Sequence, residues 1–538
     1  MAIAAAHDKQ KDMSNEERAA QMNQEEIVSL LCSYQDLSER FDRTQQQLDW
    51  FKRQLFGAKS ERRAAPDDSR QLTLGELPAA ELPAGRTIEV PAHQRRGKTK
   101  LEGDDEADLR FDDSVPVERI ELPPDIPAVE LDQYEQIGQK IIRRLAQRPS
   151  TNVVLEYVVP VFKKKEAADA ISSEIVCAAP PAAVLERSFA DVSLLAGILV
   201  DKFRYHLPLY RQHQRMSACG VHIGRGSLTN WVHRCAELLA PIHDAQLASI
   251  LTSSVLAMDE TPLKAGRKKG KPPDRGKMAT GYFWPLYGDC HEVCFHFAPT
   301  RSHSVVTALL ADFEGTLVTD GYEAYAKYAS QSTAVRHAAC WVHARRGFEK
   351  ALDSDREVAD EALARIGLLY DAERTTTRNA QQPEKVLARR ALQSKPVVDG
   401  FFEWLRGLQA KLALLPSSPF AKAAAYALER EAGLKVFLED PAVPLDTNHL
   451  EREIRPVALG RKNWLFCWTE VGARHAGVVQ GLLSTCRLQG VDPHTYLVDV
   501  LQRVQTHPAS AVAELTPRLW REHFAADPLR SDLDRAAR

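Results

Sequence analysis

The chain has no run of eighteen apolar residues, which excludes a spanning helix. Its start, "MAIAAAHDKQKDMSNEE", has no basic leader followed by a long apolar core, so no secretory signal is expected. Its nine cysteines are odd in number and scattered, with only Cys290 and Cys294 close together and no Cys-x-x-Cys anywhere. That pattern argues against a disulfide frame and for reduced thiols in a cytoplasm. Neither sign of charge dominates: the net charge is −3 and the pI near 6.6. Overall charge therefore does not attract nucleic acid, and any such partner has to be met by local basic patches.

What is present is long and modular. At 538 residues the chain exceeds one ordinary domain. Residues 1–24 are polar and read as disordered. Over 25–60, Ile27, Tyr34, Phe41, Leu48 and Leu55 recur every seven residues, with Leu30, Leu37, Thr44 and Phe51 on the second seam. That heptad predicts a leucine-zipper-like coiled coil, or an amphipathic helix packed on its own domain. Residues 61–110 form a basic, proline-containing linker. Residues 111–180, with "NVVLEYVVPVF", predict a small β-containing module. From 181 to 250 two helical patterns meet at Gly220, with Ser227 as the expected cap of the second. They fit a helix-turn-helix presenting Asn230 and Arg234, or plain helical packing.

Residues 251–350 alternate differently. "SVLAMDE", "TGYFWPLYG" and "HEVCFHFAP" predict three strands of a meander, followed by a helix and the strand "GTLVTDGYEAY". Helices are expected over 351–445 and again over 446–505, and residues 506–538 read as a loose charged tail. Asp259 ends the first strand of this core and Asp320 ends the fourth. Two carboxylates at neighbouring strand tips repel unless a cation sits between them, and hard oxygen ligands suit Mg²⁺ or Mn²⁺. Glu451, in the first turn of a helix capped by Asp446 or Asn448, is the third candidate ligand. Basic residues surround these acids: Lys264, Arg267, Lys268 and Lys269 in an expected hairpin loop, and Arg452, Arg455, Arg461 and Lys462 beside Glu451. They read either as groups that neutralise phosphates or as a solvated surface loop.

"LAMDETPLKAG", "LVTDGYEAY", "CWVHARRGFEK" and "DTNHLEREIRPVALGRKNWLF" together resemble the successive motifs of transposases of the insertion-sequence 66 family. "RQLFGAKSER", "DKFRYHLPLYRQ" and "GVDPHTYLVDVLQRV" resemble that family as well, in its order. The resemblance implies a multidomain α/β plus α protein. Its ribonuclease-H-like catalytic core would be interrupted by an all-helical insertion and preceded by the coiled coil, β module and helix-turn-helix. Asp259, Asp320 and Glu451 are then implied as the catalytic, metal-holding triad, with two Mg²⁺ or Mn²⁺ ions per active site. The implied reaction is cleavage of the element's DNA ends and strand transfer into target DNA.

Implied partners are the terminal inverted repeats, target DNA, a second copy through the coiled coil, and accessory proteins of the same element, in a bacterial cytoplasm at the nucleoid. The Cys340-x-x-His343 pair reads as structural or substrate-positioning, with His343, Arg345 and Arg346 near DNA. The family's usual cysteine zinc finger has no counterpart, because residues 105–180 hold only Cys177, so no structural zinc is expected. A catalytically inactive, domesticated DNA-binding protein and a nuclease without strand transfer are the alternatives.

Overall fold

In the computed structural model, described residues run from 110 to 536, save 114, 128–129, 149–150, 166–174, 180, 269–275, 375–381 and 412–417. The expected N-terminal disorder, the coiled coil, all of the linker but its last residue, and Lys269 lie outside the described residues. The described residues all belong to one compact unit.

The region without cysteine pairs is a sheet of four strands, β1 (Val117–Glu121), β2 (Tyr134–Arg148), β3 (Thr151–Lys164) and β4 (Ile175–Cys177). Strand β3 is central, antiparallel to β2 on one side and edged by β1 and β4 on the other. Glu156 on β3 is held between Arg119 and Arg143, and both guanidiniums draw its carboxyl below the ordinary range. Beneath, Val153, Leu155 and Tyr157 pack with Leu533, and Tyr157 Oη donates to Asp532 Oδ2 at 2.9 Å. This corrects the loose tail expected for 506–538. Trp520, 2 % exposed, and Leu533, 1 % exposed, anchor it, while its many charges lie on the outer side.

Helix α1 (Val192–Phe203) is capped by Asp191, whose side chain accepts from Ser193 N. Helices α2 (Leu209–Ala218) and α3 (Arg225–Leu251) flank a turn at Gly220, where φ is +79°. Helix α3 starts two residues before Ser227, with Gly224 at its N-cap. Ser227 is buried inside the first turn and is not the cap.

A sheet of six strands forms the centre. These are β5 (Val255–Met258), β6 (Thr261–Arg267), β7 (Met278–Gly288), β8 (Val293–Ala298), β9 (Gly315–Thr319) and β10 (Val335–Ala339). Their order is β8-β7-β5-β9-β10, with β6 also on β7. Strands β5 and β6 follow each other along one edge of β7, both antiparallel to it, while β5, β9 and β10 are mutually parallel. The expected hairpin loop therefore begins late: Lys264 and Arg267 belong to β6, and a bulge between them uses Gly266 at φ +70°. Strand β9 is also shorter than "GTLVTDGYEAY", because the chain after Asp320 turns into a helix.

Helices α4 (His303–Leu309) and α5 (Glu323–Ser330) cover one face, packing Leu309, Tyr325 and Tyr328 against Leu256, Trp284 and Leu317. On the other face Val255, Val318 and Ala338 share a hydrophobic cluster with α6 (Trp341–Ala351). That cluster extends through α7 (Arg356–Arg374), α8 (Lys395–Lys411) and α9 (Pro419–Glu429). Among the described residues, 351–445 contain helices only. The chain returns as α10 (Asn448–Gly460), then α11 (Glu470–Leu488) and α12 (Pro493–Arg503). Trp464 is buried, stacked on His206 at 4.7 Å, as core rather than surface.

Candidate metal centre

Four apolar residues fill β5, and all are buried, so the first polar side chain at its end emerges where the sheet stops. That residue is Asp259. Strand β9 runs alongside in parallel, pairing Thr316 with Val255, Leu317 with Leu256 and Val318 with Ala257. Two steps further, the same register sets Asp320 opposite Asp259. Backbone amides fix both carboxylates: Glu260 N donates to Asp259 Oδ1 at 2.7 Å, and Tyr322 N to Asp320 Oδ1 at 2.8 Å. Between them Gly321 has no room for a β-carbon, which would lie 2.3 Å from the ring of Tyr426 on α9.

A residue not singled out from the sequence completes this cluster. Carboxylate oxygens of Asp259, Glu260 and Asp320 all lie within 4.8 Å of one another. Glu260 interrupts the run from β5 to β6 and turns inward, accepting from Tyr325 Oη at 2.5 Å and pairing with Arg301. Arg301 in turn lies over the Tyr322 ring at 3.9 Å. The paired acids "DE" were the only signal, and adjacent charges ordinarily face water. Burial, then the Asp320 and Glu260 charges, pushes the Asp259 carboxyl up to about 7. Burial also raises Glu260.

Glu451 sits in the first turn of α10. Its helix is capped by neither expected residue: Thr447 occupies the N-cap, and Asp446 accepts from Asn448 N at 2.9 Å one step outside. Thr447 in turn donates through both its amide and its hydroxyl to Cys340 Sγ, each at 3.3 Å. Cys340 follows β10 directly, and its own amide donates to Thr319 O. A buried thiol thus fastens the end of β9 to the start of α10. Glu451 is outside the close trio, yet its charge contributes to raising Asp259.

Arg346 on α6 pairs with Glu451 and donates to His343 Nε2 at 3.2 Å; His343 Nε2 lies 3.7 Å from Glu451 Oε1. Burial lowers the His343 pKa and keeps the ring neutral. Glu451 Oε1 is buried without a hydrogen bond.

The remaining candidates are dispersed. Lys264, Arg267 and Lys268 are exposed along β6 and its end, and Lys264 Nζ donates to Thr280 Oγ1. Arg452, Arg455, Arg461 and Lys462 are exposed on and after α10, and Arg461 donates to Pro262 O at 2.8 Å. Arg345 pairs with Glu349. Asn230 and Arg234 on α3 are half-buried, and Arg234 donates to Glu186 O at 3.2 Å.

Residues 187–475, which include Asp259, Asp320 and Glu451, match the model "Transposase IS66 family". Residues 482–518 match the "IS66 C-terminal element". Residues 43–129 match "Transposase C of IS166 homeodomain", well ahead of α2 and α3. Similar chains include the uncharacterized protein y4hP of Sinorhizobium fredii, 30% identical over 515 residues and covering 89% of each chain. A second from the same organism, y4jD, is 33% identical over 376 residues, 66% of this chain and 72% of the other. A third, y4qI, is 31% identical over 422 residues, 74% and 75% respectively.

Proposed function

Because the chain belongs to the IS66 transposase family, we propose that it cuts the ends of its own element and joins them to target DNA through a ribonuclease-H-like core. The observation that carries this reading is the pairing of Asp259 with Asp320 at the ends of adjacent parallel strands. The mixed order β8-β7-β5-β9-β10, with β7 alone antiparallel to both neighbours, supports the same topology.

Asp259, Asp320 and Glu451 would hold Mg²⁺ or Mn²⁺, with Glu260 beside them. The donor set fits: it is all carboxylate oxygen, Glu451 Oε1 has no hydrogen bond, and Asp259 is raised by burial and then by its neighbours' charge. When bound, two such ions supply Lewis-acid activation and charge stabilisation for an in-line phosphoryl transfer. The protein's own groups do the rest. Glu260, Arg301 and Tyr325 brace the strand ends. Arg346 and His343 orient Glu451. The exposed bases of β6 and α10 position DNA phosphates. The heptad at 25–60 would pair two copies so that both element ends are held together, with helix-turn-helix contacts from α3 and accessory proteins of the element joining at the nucleoid.

A precut oligonucleotide copied from the DNA flanking the gene, with target DNA and Mg²⁺ or Mn²⁺, tests this reading. Joined product that depends on metal is expected. End binding or nicking without joining would point to the binding-only or nuclease alternative.

The pH response follows from Asp259. Its raised carboxyl favours the folded state while protonated, and ionisation near pH 7 removes that advantage; a bound divalent cation offsets the loss but competes with a proton below it. Mg²⁺ should therefore raise the melting temperature more at about pH 8 than at about pH 5.5. Calorimetry at both values checks this, and Asp259→Asn should shrink the difference.

Cys340 does not touch Glu451 but acts on it through Thr447 and through the backbone of His343. Cys340→Ala should lower the joining rate by about 10–100-fold, the range for groups that orient ligands, and leave DNA affinity unchanged. Single-turnover joining and a binding titration separate the two quantities.

A further inference from the structure

An exposed aromatic face lies beside the basic residues of β6. After the buried Trp464 and Leu465 the chain extends, and Cys467 forms a parallel bridge with Ala265 of β6. Ala265 and Cys467 are both buried, 2 % and 5 % exposed. Alternation in extended chain then turns Phe466 and Trp468 to the opposite side, and they are 62 % and 63 % exposed. Large aromatic side chains left this open on a folded surface mark contact sites. Their setting is basic. From Ile454 to Glu470 the chain carries Arg455, Arg461 and Lys462 against one acid, Glu470, which lies beside Gly266 of β6, and β6 with the next residue carries Lys264, Arg267 and Lys268 and no acid. The Arg267 guanidinium lies 6.0 Å from the Trp468 ring centre. Arg461 reaches across to Pro262 O, so the two basic segments are one surface. Strand β6 begins two residues after Asp259, so Arg461, on Pro262, lies at its near end, and Phe466 and Trp468, beside Ala265, lie further along the strand from the carboxylate cluster.

We infer that Phe466 and Trp468 form a stacking platform for unpaired nucleotides, with Arg267, Arg461 and Lys462 holding the adjoining phosphates. Bases in a duplex present edges, whereas unpaired bases offer faces on which aromatic rings stack without regard to sequence. Aromatic rings also anchor protein contacts, but six Lys and Arg against Glu470 favour a phosphate-bearing partner over a second copy of the chain. The inference rests on the proposed action at DNA ends and names the form of DNA recognised there: an end whose last nucleotides are frayed or single-stranded.

The test uses the full-length protein and a labelled duplex, either blunt or with about five unpaired nucleotides at one end. Fluorescence anisotropy should show tighter binding to the frayed duplex. The double variant Phe466→Ala, Trp468→Ala should lose about 5- to 150-fold per stacked base on the frayed duplex only. Trp468→Tyr should retain most of the preference. Both side chains are exposed, so melting temperatures should match wild type. Equal affinity of the wild type for the two duplexes, or equal loss on both in the variant, overturns the inference. So does a fall in the molar mass of the protein by light scattering with no change in DNA binding, which would make the face a contact between copies. Preference for frayed ends without any joining would count against the transposase reading and leave the platform standing; joining without preference would do the reverse.

Discussion

Asp259→Asn should abolish metal-dependent joining while the protein stays folded. Asparagine keeps the size of the side chain and its acceptor oxygen for Glu260 N, but it removes one negative charge from the three carboxylates that lie within 4.8 Å. The loss should exceed the roughly 100-fold typical of residues that merely orient metal ligands. Folding gives an independent reading of the same change. Asp259 is pushed up to about 7 by burial and by its neighbours, so neutralising it relieves repulsion, and the variant should melt at or above the wild-type temperature without metal. Joining assays and calorimetry on one preparation check both halves. An active Asp259→Asn protein would remove the carboxylate from the mechanism.

Arg390→Ala is the second large effect, and it concerns stability. Arg390 is fully buried at the junction between Pro383–Arg389 and α8, where it pairs with Glu373 at 3.0 Å. It also donates to the carbonyls of Phe437, Asp440 and Val443. Truncation leaves the largely buried Glu373 with the Ser394 hydroxyl in place of a guanidinium, and takes the same donor from three carbonyls. Breaking a buried pair from one side costs about 3–5 kcal/mol. Chemical denaturation should register that loss, and Arg390→Ala, Glu373→Ala together should recover part of it, because no charge is then stranded. Equal stability of the single variant and wild type would contradict this account.

What the sequence made legible follows from how local the signal was. Asp259 and Asp320 stood out because each ends a strand-like run, Val255–Met258 before one and Gly315–Thr319 before the other, and a parallel register turned two such ends into neighbours. Glu451 was placeable because α10 starts close before it, though the cap fell on Thr447 rather than on Asp446 or Asn448. Glu260 was not legible: its inward turn depends on Arg301 and Tyr325, which come from α5 and the loop before α4. Lys264 and Arg267 read as hairpin loop, yet β7 supplies hydrogen-bond partners that draw them into a strand. Residues 506–538 follow the same rule: charge suggested solvent, but Trp520 packs on Tyr496 and Asp499, and Asp532 and Leu533 found partners hundreds of residues away.

The hydrogen bond from Trp341 N to Leu445 O, 3.2 Å long, bears on how this protein can change over time. The helices between these residues leave and rejoin the sheet at one point, held there by Cys340 and Thr447. Closing a longer or shorter excursion between fixed ends costs little, since closure entropy grows only with the logarithm of length. Chain can therefore be gained or lost at the outer connections of that segment without moving Glu451 relative to Asp320. The spacing between these two acids is free to drift among descendants, whereas the residues at the two gateposts, 340–341 and 445–447, are not.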